Sequence, residues 1–238
     1  MKAEILFEDK DILVVYKPAG LATQTKNMAE KDLESELRTY LGGKAYLGMI
    51  HRLDQPVEGL LVFAKTQAAA KELNSQITSG KFHKKYYAII FLSKDILQKR
   101  EQQGDQEEKT KAVTLEDILA KDGKTNTSKV VSQKDPNGKR SKLSYQMKVV
   151  KEEFAMVEIE LFTGRHHQIR VQMANAGMPL LGDLKYGTEE SICKSKECGV
   201  SDIALCAHSL TFFHPMTKKE VTFSKFPQNK IFESCKLS

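Results

Sequence analysis

The sequence predicts a strand-rich protein carrying a few amphipathic helices. Two observations predict it. Short, uninterrupted apolar runs recur between clusters of Gly, Pro and charged residues, the mark of buried strands. Leucines or alanines at helical spacing occur in two stretches, beginning at Glu30 and at Gln67. Neither G-x-x-x-x-G-K-S/T nor G-x-G-x-x-G is present, so a nucleotide cofactor is not indicated. At 238 residues the chain makes one large domain or two small ones, long enough for a sizeable core.

The elements follow in order. Ile5-Leu6-Phe7 and Ile12–Tyr16 flank the acidic turn Glu8–Asp11 and read as two short strands or a hairpin. Lys17-Pro18-Ala19-Gly20 ends them with a turn signal. Leu33, Leu37 and Leu41 fall every four residues, an amphipathic helix from Glu30 that Gly42-Gly43 stops. The stretch Met49–Thr66, MIHRLDQPVEGLLVFAKT, then passes from a polar loop into the buried strand Leu60–Ala64. Thr66 can cap a helix over Gln67–Ser79, with Ala69, Leu73 and Ile77 inward and Gly80 at its end. His83–Leu92 reads as a strand with a basic start. Residues 93–142 read as an insertion or connection: 98–111 is almost wholly polar, VTLEDILAKDGK carries a short helical pattern, and KDPNGKR is a turn.

Ser144–Val150 and Phe154–Leu161 are strands, the second alternating Ala155, Val157, Ile159 and Leu161 on one face. Thr163 and Gly164 can start a helix that Gly177 ends. On it His166 and Arg170 share a face, while the adjacent His166 and His167 point apart. The last apolar segments are Ala204–Phe213 and Glu220–Phe226.

Composition narrows the function classes. With 40% apolar and 29% charged residues and no apolar run near about 18 residues, the chain reads as soluble, with no membrane partner. The N-terminus carries acids inside its apolar pattern and is not a signal peptide. The four cysteines crowd the last fifth of the chain, which is no disulfide framework, so reduced thiols in the cytoplasm are expected. Cys193, Cys198, Cys206 and His208 could hold zinc, but the C-x2-C spacing of structural sites is missing and no metal is expected. The net charge of +6 and pI near 9.0 favour a polyanionic partner such as nucleic acid. No oligomerisation stretch stands out, and a monomer is expected.

The chemistry concentrates in two stretches. In the first, His51, Arg52 and Asp54 lie within four positions on a loop anchored by a rigid strand. A carboxylate beside a cation in that setting is a candidate catalytic group, and also an ordinary salt bridge elsewhere. The second is TGRHHQIRVQM, Thr163–Met173, whose histidines suit hydrogen bonding better than ligation.

HRLDQPVEGLLVFAK resembles the catalytic motif of the RluA family of RNA pseudouridine synthases. LFTGRHHQIRVQMANAGMPLLGDLKYG resembles that family's Gly-Arg-x-His-Gln-Ile-Arg segment and the loop after it. KKYYAI, ILFEDKDILVVYKPAGLAT and LCAHSLTFFHPMTKKEVTF resemble its Lys-x-Tyr strand, opening and C-terminal segment, in family order. The resemblance implies an α+β fold, a mixed and mostly antiparallel sheet flanked by helices with a central catalytic cleft, as a single domain over 1–238. The S4-like N-terminal domain carried by many relatives is not expected here. It implies isomerisation of uridine in ribosomal or transfer RNA, with RNA as partner and no cofactor. Asp54 is then the nucleophile or base, Arg170 its ion-pair partner, and Tyr86 the ring stacked on uracil. Arg52 fills the gap left by the extruded base. His51, Arg165, Lys84 and Lys85 are expected RNA contacts, with Lys17 and Lys185 beside them; Gly59, Gln168 and His167 support the site.

Two departures bear on that reading. Val57 and Glu58 stand where the family has Thr and Ser, placing an acid near Asp54 that faces solvent or pairs with a lysine. His166 stands where Thr or Ser is usual. Two other functions compete: an RNA-binding or RNA-chaperone protein on the same fold without chemistry, and a metal-dependent hydrolase using the histidines and cysteines.

Overall fold

The longest uninterrupted apolar runs become the central strands. The computed structural model describes residues 2–25, 30–103 and 111–235. Its elements in chain order begin with β1 (Glu4–Glu8), β2 (Ile12–Lys17), α1 (Leu33–Tyr40), β3 (Gly48–Met49), β4 (Glu58–Ala64) and α2 (Gln67–Thr78). There follow β5 (His83–Phe91), α3 (Lys94–Gln103), β6 (Val113–Asp122), β7 (Thr127–Val130), β8 (Lys139–Val150) and β9 (Phe154–Leu161). The chain continues with α4 (Gln168–Asn175), α5 (Glu189–Glu197), β10 (Leu205–Phe213), β11 (Glu220–Ser224) and a 3-10 turn, Lys230–Cys235. Two compact units result: residues 1–84 with 206–228, and residues 85–205 with 229–238.

In the first unit the strands run β1-β2-β4-β10, with β11 beside β10. Every residue of β2 and β4 is buried, which is why both read as continuous runs rather than alternating ones. β2 pairs antiparallel along β4 from Lys17↔Gly59 to Ile12↔Ala64. The other edge of β4 is shared. β10 pairs in parallel at its start, through Cys206↔Glu58 and Ala207↔Gly59, and β3 pairs antiparallel at its end. This parallel contact fixes Gly59: at φ +132 a Cβ there would sit 2.4 Å from the Ala207 nitrogen.

Helix α1 begins at Leu33, the first leucine of its stripe, because Asp32 and Ser35 form a reciprocal capping box. The expected first residue, Glu30, lies before that cap. Thr66 caps α2 through Ala69 N–H at 3.1 Å, as its sequence implies. The inward face of α2 is Ala69, Ala70, Leu73 and Gln76 rather than Ile77. Gln76 is buried because its amide exchanges two hydrogen bonds of 2.8 Å with the backbone of Phe213, tying α2 to the end of β10.

The second unit is an antiparallel sheet in the order β5-β9-β8-β6-β7. It corrects the sequence reading of residues 113–142. VTLEDILAKD is strand β6, hydrogen-bonded along β8 from Val113↔Tyr145 to Leu119↔Lys139, and not a helix. β8 itself starts at Lys139, five residues before the expected Ser144. The polar stretch 98–111 is helical up to Gln103 and otherwise lies largely outside the described residues. No described helix is long and apolar enough to cross a membrane.

Candidate active site

The loop carrying Asp54 is fastened to the turn that follows β2. Lys17 does this work from a fully buried position: its ammonium donates to the carbonyls of Leu21 (2.6 Å), Pro18 and Gln55 (both 3.1 Å). The sequence reading made Lys17 an RNA contact; the structure puts it inside, because a lysine whose three donors meet carbonyls can be buried without leaving a charge unpaired. Thr23 adds a second fastening, its hydroxyl donating to Leu53 O at 2.7 Å and accepting from Leu53 N at 3.2 Å. Gly20 N donates to Gln55 O at 2.9 Å, and Val57 N closes the turn onto Asp54 O at 3.0 Å. Both neighbours of Asp54 in sequence, Leu53 and Gln55, are thus held by the 17–23 segment.

Around this loop the other residues take defined places. Arg52 is exposed and donates to Gln24 Oε1 at 2.7 Å. His51 turns inward instead of outward. Its Nε2 accepts from Val62 N at 3.3 Å, its ring meets Phe82 edge-on, and burial, with Lys84 adding to it, holds its pKa down to about 3. A neutral imidazole engaged with β4 positions the loop and is poorly suited to meet phosphate. Glu58 also turns inward. It is 3% exposed, and its Oε2 accepts from the Tyr16 hydroxyl at 2.7 Å and from Gln228 N at 3.1 Å. The acid that departs from the family pattern is therefore engaged in the first unit's core and does not face solvent. Lys84 and Lys85 open β5, the first half-buried with its pKa lowered by that burial, the second exposed.

The second unit holds Tyr86 and Arg170. Tyr86 is buried on β5, opposite Ile159 of β9. Arg170 is 4% exposed, and its Nε and one terminal nitrogen form a two-pronged bond to Asp183, both contacts 2.7 Å. Its guanidinium also lies 5.0 Å from the ring centre of Tyr186. The sequence named Arg170 but missed Asp183 and Tyr186; GDLKYG, the loop holding both, was the available signal. Asp183 completes the loop by accepting from the backbone of Lys185 and Tyr186 through its Oδ1.

The approach to α4 differs from expectation. The helix starts at Gln168, not Thr163, because His167 adopts a left-handed backbone at φ 54. His166 therefore lies outside the helix and does not share a helical face with Arg170. The two histidines do not point apart either: their rings stack with centres 3.7 Å apart. The Tyr186 hydroxyl accepts from Ser128 N at 2.8 Å and is hydrogen-bonded to His167 Nδ1, also at 2.8 Å. Burial first, then Arg170 and His166, push the His167 pKa down to about 3. Gln168 gathers the preceding loop, accepting from Thr163 Oγ1 and Arg165 N and donating to Lys142 O and Gln172 Oε1. Arg165 is exposed, and Lys185 is exposed with its ammonium on Asn126 O.

Cys193 and Cys198 belong to the second unit, Cys206 and His208 to the first. Among the described residues only Asp9, Asp11 and His214 gather three ligand-type atoms within 4.8 Å. That group has another account: His214 accepts from Met216 N and Thr217 N on Nδ1, so its Nε2 donates to Asp9 at 2.8 Å, and the Lys65 ammonium sits on Asp9 O at 2.6 Å.

Comparison with known proteins places the chain in a family. The family model for RNA pseudouridylate synthase matches residues 11–175. The ribosomal large subunit pseudouridine synthase D of Zymomonas mobilis is 32% identical over 237 residues, spanning 95% of this chain and 70% of the relative. The ribosomal large subunit pseudouridine synthase C of Buchnera aphidicola is 28% identical over 233 residues, spanning 97% and 68%. The solved structure of human RNA pseudouridylate synthase domain containing 1 shares the fold, with a TM-score of 0.71 at 22% identity, covering 94% of this chain and 83% of that one. The chain thus belongs to the RNA pseudouridylate synthase family, in its RluA-type branch, whose enzymes isomerise uridine in RNA to pseudouridine.

Proposed function

We propose that this RNA pseudouridine synthase acts on a uridine of large-subunit ribosomal RNA in the cytoplasm, as a monomer, through Asp54, Tyr86 and Arg170 and without metal or cofactor. The reaction breaks the N1–C1′ bond, turns the uracil and joins C5 to C1′. The glycosidic bond and ring face of a stacked, paired nucleotide are out of reach of a catalytic side chain, so the nucleotide must first leave its stack, with Arg52 taking its place. Asp54 acts as nucleophile toward C1′ or as base toward C2′. Arg170, itself held by Asp183, orients that carboxylate. Tyr86 stacks on the ring and assists loss of the C5 proton.

The observation that carries this reading is the bracing of the Asp54 loop by buried Lys17 and Thr23. A charge is placed inside the protein to hold three carbonyls, which is support for a precisely presented side chain. The ribosomal substrate rests on the relatives' activities. Mapping pseudouridines in ribosomal and transfer RNA from cells with and without the gene tests it. Loss of one or a few sites in large-subunit ribosomal RNA is expected. Loss only in transfer RNA would move the substrate, and an unchanged map would leave a protein that binds RNA without modifying it.

A further inference from the structure

The charge of the chain is concentrated. The whole sequence carries +6, from 37 basic and 31 acidic residues. Residues 121–142 alone hold seven Lys or Arg against two Asp, a net of +5. Both acids are engaged in their own turns: Asp122 Oδ1 accepts from Lys124 N at 2.8 Å, and Asp135 Oδ1 from Asn137 N at 2.8 Å.

Within the second unit this segment helps to form an open cleft of about 450 Å³. Its cationic rim is Lys121 from the end of β6, Lys139 from the start of β8, and Arg165, with Ser128 and His166 between them. No Asp or Glu lines it among the described residues. The wall is already ordered. Arg165 Nε donates to Arg140 O at 3.0 Å, and Ser128 Oγ meets His166 Nδ1 at 2.9 Å. His166 is also pinned by its stack on His167, so one ring face is already covered.

We propose that this cleft binds the sugar-phosphate backbone of the RNA substrate, as a contact that sets affinity and takes no part in the chemistry. The inference rests on RNA being the substrate. Three cations without a lining acid form an anion site. The lining has no Phe, Tyr or Trp on which a base could stack, so a backbone contact fits it better than base recognition.

The test is filter binding of in vitro transcribed large-subunit ribosomal RNA across a salt series, with a single-turnover pseudouridine assay on the same preparations. The variant Lys121→Ala/Lys139→Ala is compared with Lys10→Ala/Lys44→Ala, which removes the same charge from exposed positions in the first unit. The cleft variant should bind about tenfold more weakly at low salt, with a salt slope shallower by about 1–2, while saturating RNA is still modified at the wild-type rate. The control pair should leave both affinity and slope near wild type. An unchanged Kd and slope in the cleft variant overturns the proposal, as does an equal loss in the control pair. If the wild type makes no pseudouridine in any RNA yet the cleft variant alone loses affinity, the backbone contact stands and the synthase reading falls.

Discussion

Lys17 and Gly59 show how single residues set up the loop between them. Lys17 has no exposure and three carbonyl partners, one of them, Gln55, in a segment distant from it in sequence. Lys17→Met keeps the apolar stem but strands those acceptors, so it should lower stability by about 2–4 kcal/mol and reduce turnover at saturating RNA. Thermal denaturation and single-turnover kinetics check both effects. Gly59 pairs with Ala207 so closely that any Cβ collides with its backbone, and Gly59→Ala should cost at least about 2 kcal/mol, seen as a lower denaturant midpoint. The importance of Gly59 was legible in the motif; the reason for it was not, since the residue it touches lies on β10. Lys17 was misread for a similar reason. A lysine beside Pro and Gly looks like a surface turn until the carbonyls that satisfy it are placed, and Gln55 is 38 positions away. Glu58 repeats the lesson, because its partners Tyr16 and Gln228 are invisible to local pattern.

At the scale of elements, local period worked where one face is buried against a regular neighbour and failed where pairing decides. The buried strands β2, β4 and β5 and the capped helix α2 were readable from apolar runs and a threonine. Strand β6 was not: its spacing of Val113, Leu115, Ile118 and Leu119 suits a helix as well, and only hydrogen bonding along β8 selects the strand. The start of α4 likewise depends on a left-handed His167 that no propensity announces. That residue is held by Tyr186, whose hydroxyl links the 183–187 loop, β7 and α4 in one network. Tyr186→Phe keeps the ring under Arg170 but leaves Ser128 N and His167 Nδ1 without this partner. It should cost about 1–3 kcal/mol in thermal unfolding and slow the chemical step more than it weakens RNA binding. Equal losses in rate and affinity would place the network outside the positioning of Arg170.

Across the whole molecule, two histidines make stability depend on acid. His51 and His167 both have pKa values held near 3 in the folded protein, against 6.5 for the ordinary side chain. Below pH 6.5 the unfolded chain takes up protons at these positions that the folded chain does not. Their contribution is therefore complete above pH 6.5 and is lost as pH falls toward 3, by about 1.4 kcal/mol per pH unit for each histidine. Urea denaturation from pH 7 to pH 4 should show this decline, and His51→Gln should flatten it by about one proton. The same two residues were expected on RNA-contact and support grounds; His51 is half-buried against β4, and His167 is buried at the start of α4. The family was legible because its motifs are local and ordered along the chain, whereas the residues that brace the Asp54 loop are distant from it in sequence.

The measurement that bears most directly on the central claim is single-turnover pseudouridine formation by Asp54→Asn, with RNA affinity measured on the same sample. The carboxylate is removed while its shape and the loop's fastening to Lys17 and Thr23 are kept. No detectable pseudouridine, with a Kd within about threefold of wild type, is the predicted result. Product formed at a rate near that of the wild type would contradict the assignment of the chemistry to Asp54.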